Sequence, residues 1–332
     1  MGKKTALILA GAVAKGAFEA GVLDVLSQAV NEIPISRIVA ASSGALNGAV
    51  YAAGVRAGSE RAAAERLVAL WLEDANWHNV LKWSPLDILH GLGLGTADRL
   101  LPFMQKAARD LPPGERRSID LRLLLTTLEG DVGELEGKPA TTFEHVATFS
   151  DEQFDTEQSR TEVFQTALGS GAFPLLFAPV DVRGVGACVD GGVVNNTPIK
   201  RAIEAGGVER IIVVTPEPRV MPAPEPLRGM KLITQLAEIL INERLYRDLR
   251  DAESVNGYLR QLDALAQEGV PAETIQRVKD LLGWVPLEVV SIRPREPLEG
   301  SAFSAFSHPE QLQAYVRAGR EAARAALDAL IA

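Results

Sequence analysis

A short apolar strand, Ile38-Val39-Ala40-Ala41, runs straight into Ser42, and after the small turn Ser43-Gly44 the chain continues as an apolar helix from Ala45-Leu46-Asn47. That order makes a sharp strand-to-helix elbow, which lifts one serine hydroxyl clear of a sheet. A fold with such an elbow needs a buried strand followed at once by a helix packed on it. The same order occurs upstream. Residues 5–10 read as a buried strand and 16–29 as the helix after it, with a glycine-bearing turn between them. Strand, helix, strand, helix at these short spacings specify a parallel sheet covered on both faces.

Downstream, residues 37–41 are the second strand and 43–57 its helix, rich in Ala, Gly and Val and suited to close packing on a sheet. Residues 60–71 read as an amphipathic helix. Residues 77–113 break the pattern. There Trp77, Trp83, Ile88, Leu89, Leu92, Leu94, Leu100, Leu101 and Phe103 crowd a stretch punctuated by Pro85, Gly91, Gly93, Gly95 and Pro102. This is either an apolar cap over a cleft or a satellite core under loops. Strands follow at 121–128, 138–143, 186–189 and 211–215, with helices at 160–168 and 198–205. The proline-rich run 216–226 marks a surface crossing. Beyond it come helices at 230–258, 259–267 and 272–282, a late strand at 287–292 and a final helix at 309–330. The expected organisation is an α/β domain over 1–225 with a cap-like insertion near 75–115. A mainly helical extension, 226–332, packs on the same domain.

A serine hydroxyl is a weak nucleophile until a base takes its proton. The best base in the sequence is Asp190, which ends the apolar strand Ala187-Cys188-Val189 and precedes Gly191-Gly192. Its carboxylate should emerge at the C-terminal sheet edge, where open α/β sheets hold their ligands. The competing assignment is a turn aspartate bonded to its own backbone; the presence of Ser42 decides for catalysis. His78, His90, His145 and His308 sit at no obvious strand end. A Ser/Asp dyad is therefore built more readily than a triad, with His90 or His145 as the alternative base.

The first turn, Ala10-Gly11-Ala12-Val13-Ala14-Lys15-Gly16, aims backbone N–H groups at an anion, either an oxyanion or a phosphate. Lys15 either meets a phosphate head group or is a solvated helix-start residue. The turn lacks both the dinucleotide fingerprint and the Gly-Lys-Ser/Thr ending of a P-loop. The N–H of Ser43, just after the nucleophile, joins the same anion site. No His or Cys pair has ligand spacing, so neither a metal nor a cofactor is expected, and Cys188 reads as a small buried strand residue.

Composition narrows the partners. The 332 residues are 47% hydrophobic and 23% charged, enough for a large core. A net charge of -9 argues against a nucleic-acid footprint and gives no general attraction to anionic membranes. A single cysteine rules out an internal disulfide and fits a reducing compartment, so a cytoplasmic location is expected. No apolar run reaches membrane-spanning length. Lys3-Lys4 ahead of residues 5–14 looks like a short signal peptide, but Lys15, Gly16 and Glu19 follow at once, and the segment is assigned to the mature fold.

Four blocks, in order, resemble the patatin-like phospholipase family. Residues 7–23 are similar to its glycine-rich oxyanion block, and 40–47 to its nucleophile block, Gly-x-Ser-x-Gly-Ala-Leu-Asn. Residues 167–180, with Ser170, Phe173-Pro174, Phe177 and Pro179-Val180, are similar to the stretch before its acid, and 189–198 to its Asp-Gly-Gly/Ala block. The resemblance implies a three-layer α/β/α sandwich with a mostly parallel sheet. It implies hydrolysis of lipid acyl esters, often phospholipids, without calcium, with Ser42 as nucleophile and Asp190 as base. Gly11, Ala12, Val13 and Ser43 would supply the oxyanion hole, and Lys15, Gly16, Gly44, Gly191 and Gly192 the supporting turns. The implied partners are a lipid or acyl-ester substrate and a transient membrane surface, and the apolar C-terminal helices offer a face for a second subunit.

Two departures stand out. The family's oxyanion block is usually a run of glycines, where this chain has Ala10, Ala12 and Val13; and Ala40 replaces the first glycine of the nucleophile block. A β-branched Val13 resists φ > 0, so the loop is expected to differ in shape. Three rivals to hydrolysis stand beside it: an acyltransferase using the same serine, a catalytically weak lipid- or partner-binding relative, and a nucleotide-binding protein using the first turn.

Overall fold

The computed structural model describes residues 3–331 apart from 91, 136, 175, 221–229 and 284–285. The main sheet is built from β1 (Thr5–Leu9), β2 (Ile35–Ala40), β3 (Asp120–Leu135), β4 (Lys138–Phe149), β5 (Val180–Val182), β6 (Gly186–Asp190), β7 (Arg210–Val214) and β8 (Glu288–Ile292). Its order is β8-β7-β1-β2-β3-β6-β5, with β4 also paired to β3. From β8 to β3 every pairing is parallel; at β3 the sheet changes character, because β4 and β6 both run antiparallel to it. The sheet is thus mostly parallel and flanked by helices, the α/β architecture expected.

The helices are α1 (Gly16–Leu26), α2 (Ser43–Ala57), α3 (Glu60–Ala69), α4 (Leu100–Ala108), α5 (Glu157–Ser170), α6 (Ile199–Glu204), α7 (Met230–Leu265), α8 (Ala272–Leu282) and α9 (Pro309–Ile331). Every residue of β1 is buried, as a central parallel strand covered on both faces requires. Alternate residues divide between two layers. Leu7, Leu9, Ile38, Ala40, Leu121 and Leu123 join the large core with α1, α2 and α5. Ala6, Ile8, Val39, Ala41 and Leu124 face the opposite way, against Ile199 and Ala202 of α6 and Leu249 of α7.

Several boundaries differ from the sequence expectation. β3 and β4 form a hairpin far longer than 121–128 and 138–143. Its outer half, with Glu129, Asp131, Glu134, Thr141 and Thr142, is polar because much of it faces solvent. The helices expected at 230–258 and 259–267 are one continuous α7. Gly91, the 221–226 part of the proline-rich run and the boundary near residue 225 lie outside the described residues.

The stretch 77–113 divides between the core and the surface. Val80, Leu81 and Met104 are buried in the main core. Between them Lys82–Trp83 pairs with Gly95–Thr96 as a two-residue ribbon that carries a short helix, Pro85–Leu89. Trp83, Ile88, Leu89 and Leu92 on this finger are exposed. Apolar composition implied burial; their exposure is taken up below.

The C-terminal segment is part of the same sandwich. β8 closes one edge of the sheet, and α9 packs directly on α1. A Cβ on Gly21 would stand 2.1 Å from the Val316 carbonyl oxygen, and one on Gly319 would stand 2.0 Å from that of Phe18. Arg320 Nε donates to Asp24 Oδ2 at 2.6 Å beside this crossing. In an exposed helix interior Gly→Ala gains roughly 1 kcal/mol. Here the sign reverses, and Gly21→Ala is expected to cost about 1–3 kcal/mol by overpacking, measured by urea denaturation.

Candidate active site

Ser42 sits between the last residues of β2 and the first turn of α2, at φ 54° and ψ -131°. A non-glycine residue in that region carries strain of about 1–3 kcal/mol, held in place by its surroundings. The restraints are visible. The Ser42 N–H donates to Ser170 Oγ at 3.0 Å, the Ala41 N–H donates to the Leu9 carbonyl, and the Ala45 N–H to the carbonyls of Ala41 and Ser42. Gly44 lies against β1 so closely that a Cβ there would meet the Leu9 carbonyl oxygen at 2.5 Å. The Ala40 methyl, the departure at the elbow, is accommodated by Gly48 on α2, where an added Cβ would stand 3.4 Å from it.

Asp190 meets Ser42 across β3. Ser42 Oγ donates to Asp190 Oδ2 at 2.5 Å, and both side chains are buried, the residues being 5% and 2% exposed. The carboxylate's other oxygen accepts the Gly192 N–H at 2.7 Å. The Asp190 backbone is tied on both sides: its N–H donates to the Ala172 carbonyl at 2.9 Å, and Thr126 Oγ1 donates to its carbonyl at 2.8 Å. β6 runs antiparallel to β3, with Asp190 opposite Leu125. The acid therefore approaches the parallel strands' C-terminal edge from the other direction. A Cβ on Gly191 would stand 2.0 Å from the Leu124 carbonyl oxygen, so only glycine fits there. Burial pushes the Asp190 carboxyl up to about 6, partly offset by the hydrogen bonds from Ser42 and Gly192.

The first turn, residues 10–16, closes over the same point. Gly11 is required by contact: a Cβ there would lie 2.3 Å from Ser42 Cβ and 2.3 Å from Asn196 Oδ1. Asn196 Nδ2 holds the Gly11 carbonyl at 2.9 Å. Val13 stands at φ 51°, in the left-handed region that a β-branched residue disfavours. The turn thus keeps a glycine-type backbone, and Val13 carries the strain instead of avoiding it. The Ala12 N–H is already bonded to Ser43 Oγ at 3.0 Å, and the Ala14 N–H to the Ala302 carbonyl. The N–H groups of Val13 and Ser43, each opening a helical turn, make no hydrogen bond among the described residues.

Lys15 departs from both expectations. It is buried, and its Nζ pairs with Glu217 Oε1 at 3.2 Å, so it is neither solvated nor presented to a phosphate. Gly16 packs against Trp71 and Ser43, where an added Cβ would lie 2.8 Å and 2.9 Å away. Neither alternative base reaches the serine. His145 Nδ1 pairs with Asp131 at 2.7 Å on the outer hairpin, and His90 is exposed on the finger.

Beside Ser42 lies an apolar cavity of about 90 Å³. Val13, Leu46, Val50, Leu70, Trp71, Val80, Leu100, Met104, Phe173, Phe177 and Phe306 line it, with Ser42 and Ser43. Of the residues proposed for a cap, Leu100 is in this lining, whereas Trp83, Ile88, Leu89, Leu92 and Leu94 are not. Trp77 reinforces the wall from behind: it packs edge-on against Phe306, stacks on Phe303, and Phe303 meets Phe173.

A polar thread runs behind the cavity. Asn47 Nδ2 donates to the Gly16 carbonyl and to Glu19 Oε2, both at 2.9 Å, and Trp71 Nε1 donates to Asn47 Oδ1 at 2.8 Å. Glu19 is fully buried, which holds its carboxyl well above the usual range despite the Asn47 bond. This thread, Ser170 and Asn196 were not singled out as site residues from sequence. The one signal for Glu19 was a lone acid in the otherwise apolar run Gly-Ala-Phe-Glu-Ala-Gly-Val-Leu.

A family model for patatin-like phospholipase matches residues 7–203, more than half of the chain, and all four motif blocks fall inside it. The chain belongs to the patatin-like phospholipase family, whose members are lipid acyl hydrolases. Among solved structures it is similar to VipD from Legionella pneumophila, at 14% identity and a TM-score of 0.41, over 98% of this chain and 67% of that one. It is also similar to a chain of the heterodimeric ExoU–SpcU complex from the type III secretion system of Pseudomonas aeruginosa, at 18% identity and a TM-score of 0.28. That match covers 75% of this chain and 52% of the other. No curated protein matches the chain in sequence.

The contact at Gly11 makes a sharp test. Gly11→Ala is expected to displace the Ser42 side chain and lower kcat for a nitrophenyl ester about 10²-fold. Circular dichroism should remain native, since the turn is local.

Proposed function

We propose that this protein hydrolyses acyl esters of lipids through a covalent acyl-enzyme on Ser42, with Asp190 as its base. The observation that carries this reading is the buried 2.5 Å contact between Ser42 Oγ and Asp190 Oδ2 beside an apolar cavity. In the first step Ser42 Oγ attacks the ester carbonyl carbon while its proton passes to Asp190. The C–O bond to the leaving alcohol then breaks, and Asp190 returns the proton to that oxygen. In the second step Asp190 takes a proton from water, whose oxygen attacks the acyl carbon; the bond from that carbon to Ser42 Oγ then breaks, Asp190 returns the proton to Ser42 Oγ, and the fatty acid leaves.

The oxyanion formed in each step is assigned to the N–H groups of Val13 and Ser43. Each such donor is worth roughly 3 kcal/mol of transition-state stabilisation. Ala12 joins only by giving up its bond to Ser43 Oγ. Gly11 supplies the space that lets the turn approach the serine. The acyl chain enters the cavity, whose lining is mostly apolar apart from Ser42, Ser43, Asn47 and Asp74.

The raised pKa of Asp190 has a function in this scheme. A base near pH 6 is stronger than an ordinary aspartate near 3.9 and is still ionised at neutral pH. Activity needs the ionised form. It is therefore present above the folded pKa and lost as pH falls through it. We expect kcat/KM for a soluble nitrophenyl ester to fall with a midpoint near pH 6; a midpoint below pH 5 would contradict the desolvated base.

Substitution supplies the decisive test. Ser42→Ala should abolish turnover and labelling by a fluorophosphonate probe. Asp190→Asn should lower kcat by at least about 10⁴-fold, the loss seen when the acid of a Ser-His-Asp triad is replaced, because here the carboxylate itself takes the proton. Undiminished rates in both variants would remove the dyad. Product analysis with water as the sole acceptor separates hydrolysis from acyl transfer.

A further inference from the structure

We propose that the finger between Lys82 and Thr96 is a membrane-docking element that presents the acyl cavity to a lipid surface. The choice of a lipid as the occupant rests on the acyl-hydrolase reading above. The finger exposes Trp83, Leu86, Ile88, Leu89, Leu92 and Leu94 within twelve residues. Leu89 is 78% exposed, Leu86 66% and Trp83 62%. Single exposed apolar residues are normal on a soluble surface, whereas a contiguous group marks an interaction site.

Both roots of the finger are fixed in the cavity wall. On one side Val80, two residues before the ribbon, lines the cavity. On the other, the Leu94 N–H donates to the Leu176 carbonyl at 3.0 Å and the Ala178 N–H donates to the Gly95 carbonyl at 2.8 Å. Gly93 lies so close to the backbone of Phe177, itself a cavity residue, that a Cβ would stand 2.7 Å from its carbonyl carbon. The finger is therefore anchored to the backbone of the wall that would take the acyl chain, which places its exposed apolar residues next to the cavity.

Charge agrees with that occupant. The finger, residues 82–96, carries one cation, Lys82, and one anion, Asp87, so it is neutral in a chain of net charge -9. Lys82 and Arg99 are exposed at the finger's base. The face that would approach anionic phosphates is thus spared the chain's overall acidity. Trp83 beside Lys82 is the pairing of an amphipathic ring and a cation that suits the headgroup level. Among the described residues no helix is long and apolar enough to cross a membrane, so the contact is a surface one.

The test uses the full chain with phosphatidylcholine vesicles containing a minority of phosphatidylglycerol. In the Ser42→Ala background, co-sedimentation reads contact without turnover. Leu86→Ser/Leu89→Ser should weaken vesicle binding at least about tenfold, since two exposed leucine side chains leave the lipid contact. With Ser42 intact, the same double variant should hydrolyse vesicle lipid correspondingly more slowly. It should turn over a soluble short-chain ester within about twofold of the wild-type rate, because neither side chain lines the cavity. Brominated lipid should quench tryptophan emission more strongly in the parent than in Trp83→Phe, which keeps Trp71 and Trp77 as an internal reference and needs no loss of fold to be read. Unchanged vesicle binding in the double variant overturns the proposal. So does a dimer in sedimentation velocity that the double variant converts to monomer, because the finger would then cover a second copy. If Ser42→Ala instead keeps full ester turnover, the acyl-hydrolase reading fails while the vesicle result is read independently.

Discussion

The hydrogen bond between Ser42 and Asp190 is the interaction around which the rest is arranged. Burial would normally make an aspartate expensive, and here it leaves the carboxylate ready to take a proton. The cost is met by fixed partners: the Gly192 N–H on one oxygen, the serine hydroxyl on the other, and backbone bonds on either side of the residue. Ser170 is central to this support. Its hydroxyl holds the Ser42 N–H while its carbonyl accepts the Gly191 N–H, so one residue at the end of α5 positions both halves of the pair.

The same economy explains which glycines persist. Family blocks rich in glycine are here partly rewritten with Ala10, Ala12, Val13 and Ala40. Gly11, Gly44 and Gly191 remain, and at each an added Cβ would come within 2.5 Å of an atom of the site's frame. Conformational need alone does not dictate glycine in this turn, because Val13 accepts a positive φ. Steric contact does. A strained valine is supported by the apolar cavity on which its side chain packs.

How much was legible in the sequence follows from the range of the interactions. β1, β2 and the elbow were readable because apolar runs and small residues act locally. Asp190 was readable because a strand end and two glycines announce it. Lys15 was misread because its partner, Glu217, lies 202 residues away. The Glu19–Asn47–Trp71 thread was invisible for the same reason, as no spacing connects the three. The finger's exposure was hidden in another way. Apolar composition implies burial, and it cannot reveal whether the partner surface belongs to the same molecule. The outer half of β3 and β4 was missed because solvent on one side leaves no apolar run to see.

β3 lies between the strands that carry the serine and the acid, pairing with β2 in one direction and β6 in the other. Ser42 and Asp190 are separated by 148 positions of sequence. They come together only after both ladders on β3 have zipped, and such long-range pairings are slow to close. On the proposed chemistry, nucleophilic reactivity is thus a late acquisition of the maturing chain. In that scheme a half-assembled copy has the serine without its base, and so is silent toward esters until the sheet is complete.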